Sequence, residues 1–359
     1  MAFKLKLQEP LDQGVRRVAL GQIDGICDVT RFADAAQWVH EARKSLKRTR
    51  ALLRLVRSGI AKDDWRWMNA ALRDAGRGLS PWRDRDVRRE TLAWLSADPD
   101  PRQAAALDRV VRLDSRRNGE DVPVATAIDA ERAVMLDALG PTREKLSTLE
   151  VEIASATLVD GLARTHRTAR KVLQRARSDP GDEAFHELRK LVQLHWRQMQ
   201  LLSNAWPALF AARIASARAL AQSLGREHDL AVLAAWIASA AAGSVTSADR
   251  RLIGNACVQA QAALRETAIV SAHLLFAGHP RSFAREAIAS WDAAQSGNKL
   301  TIDQMPPTHV GLRPQPRQRG RSAAPLSRSA RSAPEGGGGH DPVRSKRGGR
   351  AGAKPAGRT

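Results

Sequence analysis

Between Asp34 and Gly59, apolar and charged positions recur with helical spacing. On a 100°-per-residue wheel, Ala42, Leu46, Leu53 and Val56 share one side, while His40, Arg43, Lys44, Lys47 and Arg54 lie within roughly 60° of His40 on the other. Arg48 and Arg50 flank this cation row. The pattern predicts a helix capped by Asp34 and ended by Gly59, packed on one face and cationic on the other for about three turns. Further helices are expected at about 62–77, 83–96, 102–117 and 128–138, broken at GRGLSP, DPDP, NGEDVP and GP.

The second half repeats this order. A basic helix over GLARTHRTARKVLQRARS precedes a DPGD break. A helix containing His186 then runs to about Asn204, and a further helix follows Pro207. A turn is expected at LGREHDLAV, with more helix to about Trp291. His186, Arg189 and Lys190 align with His40, Arg43 and Lys44 at an offset of 146, and LSPWRDRDV aligns with LGREHDLAV. Such a period is too long for a solenoid and predicts an internal duplication, read as two four-helix bundles related by a pseudo-two-fold. The expected organisation is one all-α domain over 1–300, with repeats at about 10–150 and 151–295, and a separate segment over 301–359.

In the second histidine helix, His186, Arg189, Lys190 and Arg197 share one face, with Leu188, Val192 and Met199 opposite. Gln193 and Gln200 stand where Lys47 and Arg54 stand in the first copy, so the second row is weaker. A third basic row, Arg164, Arg167, Lys171 and Arg175, has His166 and Arg170 beside it. Acids that would compensate these rows are nearly absent: Glu41 is the only one between Asp34 and Asp63. Uncompensated cations on one helix face repel one another by a few tenths of a kcal/mol per pair, which favours a polyanionic partner over a merely solvated face.

Composition sharpens this picture. The 359-residue chain carries a net charge of +20 and is 43% hydrophobic, with no tyrosine. It can build a core, has little material for sheets, and attracts nucleic acid, an anionic membrane or a phosphate polymer. From residue 301 onward, Pro, Gly, Ser and Arg dominate, with twelve Lys/Arg against Asp303, Glu335 and Asp341, so this segment is expected to be a disordered basic tail. Cys27 and Cys257 match no disulfide or metal spacing and are expected to be small core residues in a reducing compartment. MAFKLKLQEP has no apolar run of signal-peptide length, and the uncharged run from Leu230 to Ala248 reads as a buried helix and loop. A cytoplasmic location without a membrane span is expected.

Each histidine heads a cationic row whose charge keeps imidazole neutral until a polyanion arrives. Anion contact, a hydrogen-bonded structural role and phosphate acceptance are the readings open to His40 and His186. Neither has converging metal ligands on its face. His228, beside Asp229, is expected to cap or brace the LGREHDLAV turn.

The motifs HEARKSLKRTR, from His40 to Arg50, and HELRK, from His186 to Lys190, followed by SPWRDRDV and LGREHDLAV, resemble the conserved histidine α-helical domain (CHAD) family over roughly residues 10–290. The resemblance implies two helical bundles around a basic groove or pore that binds inorganic polyphosphate. It also implies association with polyphosphate granules, no catalytic activity and no cofactor. By carry-over, His40, Arg43, Lys44, Lys47, Arg48 and Arg50, with His186, Arg189 and Lys190, line the anion site. The helix faces add Arg54, Arg167, Arg170, Lys171 and Arg197. Gln193, Leu194 and Trp196 depart from the family's cation pattern. Nucleic-acid binding through the tail is the competing reading.

Overall fold

The computed structural model describes residues 2–97, 101–120, 125–239 and 245–297, and the expected tail lies outside them. The described residues form eleven α-helices and no strand. The first half holds α1 (Leu11–Cys27), α2 (Ala35–Leu55), α3 (Lys62–Gly78), α4 (Ser80–Leu95), α5 (Pro101–Glu120) and α6 (Ala125–Ser147). The second holds α7 (Ser155–Ser178), α8 (Asp182–Leu202), α9 (Pro207–Ala238), α10 (Ser247–Leu275) and α11 (Pro280–Gly297). A 3-10 turn, Arg57–Gly59, follows α2.

Local chemistry sets several helix starts. The Asp34 carboxylate accepts the Gln37 N–H at 2.7 Å, and the Gln37 side chain accepts the Ala33 N–H at 2.6 Å. This reciprocal cap satisfies two donors at the head of α2. Thr246 caps α10 by accepting the Asp249 N–H. Proline stands in the first turn of α4 and α9, where its missing donor is harmless.

Two expected breaks are absent. LGREHDLAV is not a turn but the middle of α9, and His228 therefore braces no turn. Gly225 lies inside this helix, facing α8, and a Cβ there would stand at an ordinary packing distance, 3.9 Å, from the Arg189 guanidinium. The helix also continues through Gly140 and Pro141 of α6. Proline in a helix interior costs about 3 kcal/mol, but Met135 and Leu139 before it and Leu146 after it are all buried. At about 1.5–3 kcal/mol per buried side chain, that burial holds both segments on one line.

Buried residues group into three clusters, and each draws on both halves. The first joins α1, α2, α3 and α6 to Leu162 of α7, Leu202 of α8 and Trp291 of α11. The second sets Ala51 of α2 among residues of α7, α8, α9 and α10. The third packs Leu92 of α4 and Leu107 and Val110 of α5 against Leu230, Leu233 and Ile253. Arg109 Nε, donating to Asp249 Oδ2 at 3.0 Å, ties α5 to α10 at that seam. Trp38 is 1% exposed and donates to the Ile26 carbonyl, fixing α2 on α1. Cys257 is a core residue as expected, but Cys27 is exposed because it ends α1 on the face turned from the core. Among the described residues no helix is long and apolar enough to cross a membrane.

Candidate anion-binding cavity

α2 and α8, each 21 residues long, pack on one another in opposite directions: Arg48 acts electrostatically on Arg197, and Arg54 on Glu187. Where the α2 cation row leaves this crossing, α4 and α9 close around it to form a cavity of ≈ 700 Å³. His40, Arg43, Lys44, Lys47 and Arg48 of α2 form one wall. Arg189, Trp196, Arg197 and Gln200 of α8 form another. α9 contributes Arg218, Gln222, His228, Asp229 and Val232, and α4 contributes Val87. Among the described residues, seven Lys/Arg thus face one acid, Asp229.

Several of these cations have local partners that fix their direction. Arg43 is positioned by donating to the Gly76 carbonyl (3.2 Å) and Ser80 Oγ (2.9 Å). Lys44 pairs with Glu41 at 2.8 Å. Arg197, only 8% exposed, donates to the Gln193 carbonyl at 2.9 Å, and its guanidinium stands 5.5 Å from the Trp196 ring. Burial, then Arg48 and Arg189, lower its pKa to about 10. Arg189 Nε and Trp196 Nε1 are buried donors without a hydrogen-bond partner. In the absence of an acceptor such donors cost roughly 1–3 kcal/mol each.

Lys47 is central. The surrounding walls, then Arg43, Arg189 and Arg197, lower its pKa to about 7, and Asp229 opposes them. Its side chain nevertheless stays open to solvent in the cavity.

The two motif histidines are not equivalent. His40 lines the cavity and is exposed, 4.0 Å from Glu41 Oε1. His186 stands behind the wall, its ring 4.3 Å from that of His228, and it is His228 that faces the cavity. Burial, then Arg189, His186 and Lys190, lower His228 to about 4, so it stays neutral at physiological pH. Among the described residues no group of three His, Cys, Asp or Glu is placed to hold a metal.

Of the residues expected at the site, His40, Arg43, Lys44, Lys47, Arg48, Arg189 and Arg197 come together here. The others stand elsewhere. Arg50 donates to Asn69 Oδ1 (3.3 Å), and Lys190 pairs with Glu187 (2.6 Å). Arg54 lies past the crossing. On α7, Arg170 donates to the carbonyls of Ala277 and Gly278 at 2.8 Å, closing the end of α10, and Arg167 and Lys171 are exposed.

Arg218, Gln222, His228 and Asp229 were not expected in the wall. Their signal was present: Arg218, Gln222, Gly225, Asp229 and Val232 follow 4-3-4-3 spacing and share one face once LGREHDLAV is read as helix.

The CHAD domain family profile matches residues 20–238. Among solved structures, PptA from Streptomyces chartreusis is similar at 19% identity and a TM-score of 0.49, covering 74% of this chain and 96% of that one. No curated protein sequence matches. The family match spans both histidine helices and all four helices that wall the cavity, and the chain belongs to the CHAD domain family.

Proposed function

We propose that the protein binds inorganic polyphosphate in this cavity, as a binding protein rather than an enzyme. The observation that carries the reading is the convergence of seven cations on one ≈ 700 Å³ space that holds a single acid among the described residues. Polyphosphate supplies what that space lacks, dense anionic acceptors. Arginine forks donate directly to phosphate oxygens. Nucleic acid fits less well: among the described residues Trp196 is the one aromatic in the wall apart from histidine, and the Arg197 guanidinium already stands beside it. Family membership supports the reading through the polyphosphate binding that the CHAD resemblance implies, and association with polyphosphate granules in the cytoplasm follows from the same premise.

A second reading rests on the twelve Lys/Arg beyond residue 300: nucleic-acid binding through the tail. Competition separates the two. Labelled long-chain polyphosphate on the protein is challenged with unlabelled polyphosphate, single-stranded DNA and duplex DNA at equal phosphate, with and without residues 301–359. Displacement by polyphosphate alone, retained after removal of the tail, is expected. Equal displacement by DNA, or loss of binding with the tail, would refute the cavity reading in favour of the tail.

A further inference from the structure

The α2 cation row does not end at the cavity. Ala51 sits near its centre on the wheel, yet is 2% exposed and buried in the cluster that holds Leu191 and Leu194 of α8. The helix crossing therefore divides the row. His40 to Arg48 open into the cavity, and Arg54 and Arg57 emerge on the far side.

There they meet α7. A Cβ at Gly161 would lie 1.9 Å from the Leu55 carbonyl oxygen, so only glycine lets α7 approach the end of α2 this closely. One turn along α7, Arg164 comes under the charges of Arg57 and Arg167, and Arg57 acts in the same way on Arg54. Arg54, Arg57, Arg164 and Arg167 thus share one seam built from α2, the 3-10 turn and α7. Asp160 acts on Arg164 and Glu187 on Arg54, and Glu187 is already bonded to Lys190. Arg164 Nη1 is buried with no hydrogen-bond partner, and the Arg57 guanidinium is held 4.1 Å from the Trp65 ring. Four guanidiniums brought together by a glycine contact, with a buried donor left open, match a further run of phosphate oxygens.

We propose that this seam is a second oligophosphate-binding site, which takes a later stretch of the same chain that the cavity holds. The inference rests on the polyphosphate reading. Along α2, Lys47 and Arg54 are seven residues apart, about 10 Å, and because the buried α8 crossing lies between them a chain must pass round it, a longer path that a polymer spans and a triphosphate does not. Once the cavity holds one stretch, binding at the seam is intramolecular and adds affinity only for chains long enough to reach it.

The test compares tripolyphosphate with long-chain polyphosphate on the full chain, in wild type and in the triple variant Arg54→Gln, Arg164→Gln, Arg167→Gln. Tripolyphosphate affinity is expected to stay within about twofold, whereas long-chain affinity falls roughly tenfold or more and its log–log salt slope shrinks by about 2. The corresponding triple lysine variant should recover most of the slope. Arg167→Glu alone, at an exposed position, should weaken long-chain binding in the same direction with helicity unchanged. Unchanged long-chain affinity and slope, or equal loss for both probes, overturns the second site. Wild type that binds neither probe overturns the polyphosphate reading and the seam with it.

Discussion

Its surroundings bring the Lys47 amine far below the ordinary lysine range. The cavity walls, then Arg43, Arg189 and Arg197, bring it down to about 7 from the ordinary lysine value, with Asp229 in opposition. Arg48 and Arg218 add charge to the same space, and His228 is neutral there. A bound polyphosphate surrounds the amine with negative charge and returns its pKa towards normal. Binding then takes up a proton wherever the free protein has lost it. Above pH 7, affinity falls as pH rises, by at most about tenfold per pH unit, until the pKa of the bound state is passed. Because the side chain meets solvent in the cavity, water screens part of the repulsion, and the fall begins at or above pH 7 rather than below it. Stability moves in the opposite sense. Between about 7 and the free-lysine value the unfolded chain binds more protons, so the unliganded protein gains stability as pH rises, and bound polymer cancels that gain. Isothermal titration from about pH 7.5 to 9.5, above the range in which free imidazoles titrate, in buffers of different ionisation enthalpy, measures the uptake. Lys47→Arg, charged throughout, should bind with little pH dependence. Equal pH slopes in wild type and Lys47→Arg would refute the reasoning.

Two predictions concern the scaffold. Gly161→Ala forces α7 away from Leu55 and should lower stability by about 1–3 kcal/mol or more in denaturant melts, despite the better helix propensity of alanine. His195 lies fully buried beside Phe276 and Phe283 with neither ring nitrogen bonded, and burial, then Arg213 and His166, hold its pKa well below 6.5. Its unfolded form protonates near 6.5, so stability should decline as pH falls below that value, and His195→Phe should flatten the decline in urea melts at about pH 7.5 and 5.

The α2 row was legible because a helix with one apolar and one cationic face has a single way to sit on a core. Its capping box and the burial of Ala42, Leu46 and Leu53 follow from the same spacing. What failed depends on neighbours. Ala51 lay within the cationic arc, and only the crossing of α8 explains why an alanine interrupts it. Gly225 reads as a helix stop in isolation, yet α9 runs through it with Gly225 buried, so the α9 wall of the cavity does not show in the sequence read as a turn there. Pro141 reads as a break, and the burial of Met135, Leu139 and Leu146 overrides it. The basic face of α7 was read correctly as a row. That Arg170 of this face ties down α10, and that Arg164 turns to α2, are tertiary facts that no wheel contains.

The central claim is that the cavity cations hold the polymer. Its most direct test is a salt titration of long-chain polyphosphate binding around physiological ionic strength of about 0.15 M. The full chain would be compared with the variant Lys44→Gln, Lys47→Gln, Arg48→Gln. With about 0.7 counterions released per contact on a single-stranded polyanion, the account predicts a log–log slope smaller by about 2 and an affinity at least tenfold weaker, with the helical circular dichroism unchanged. Unchanged slope and affinity would place binding outside the cavity and contradict the account.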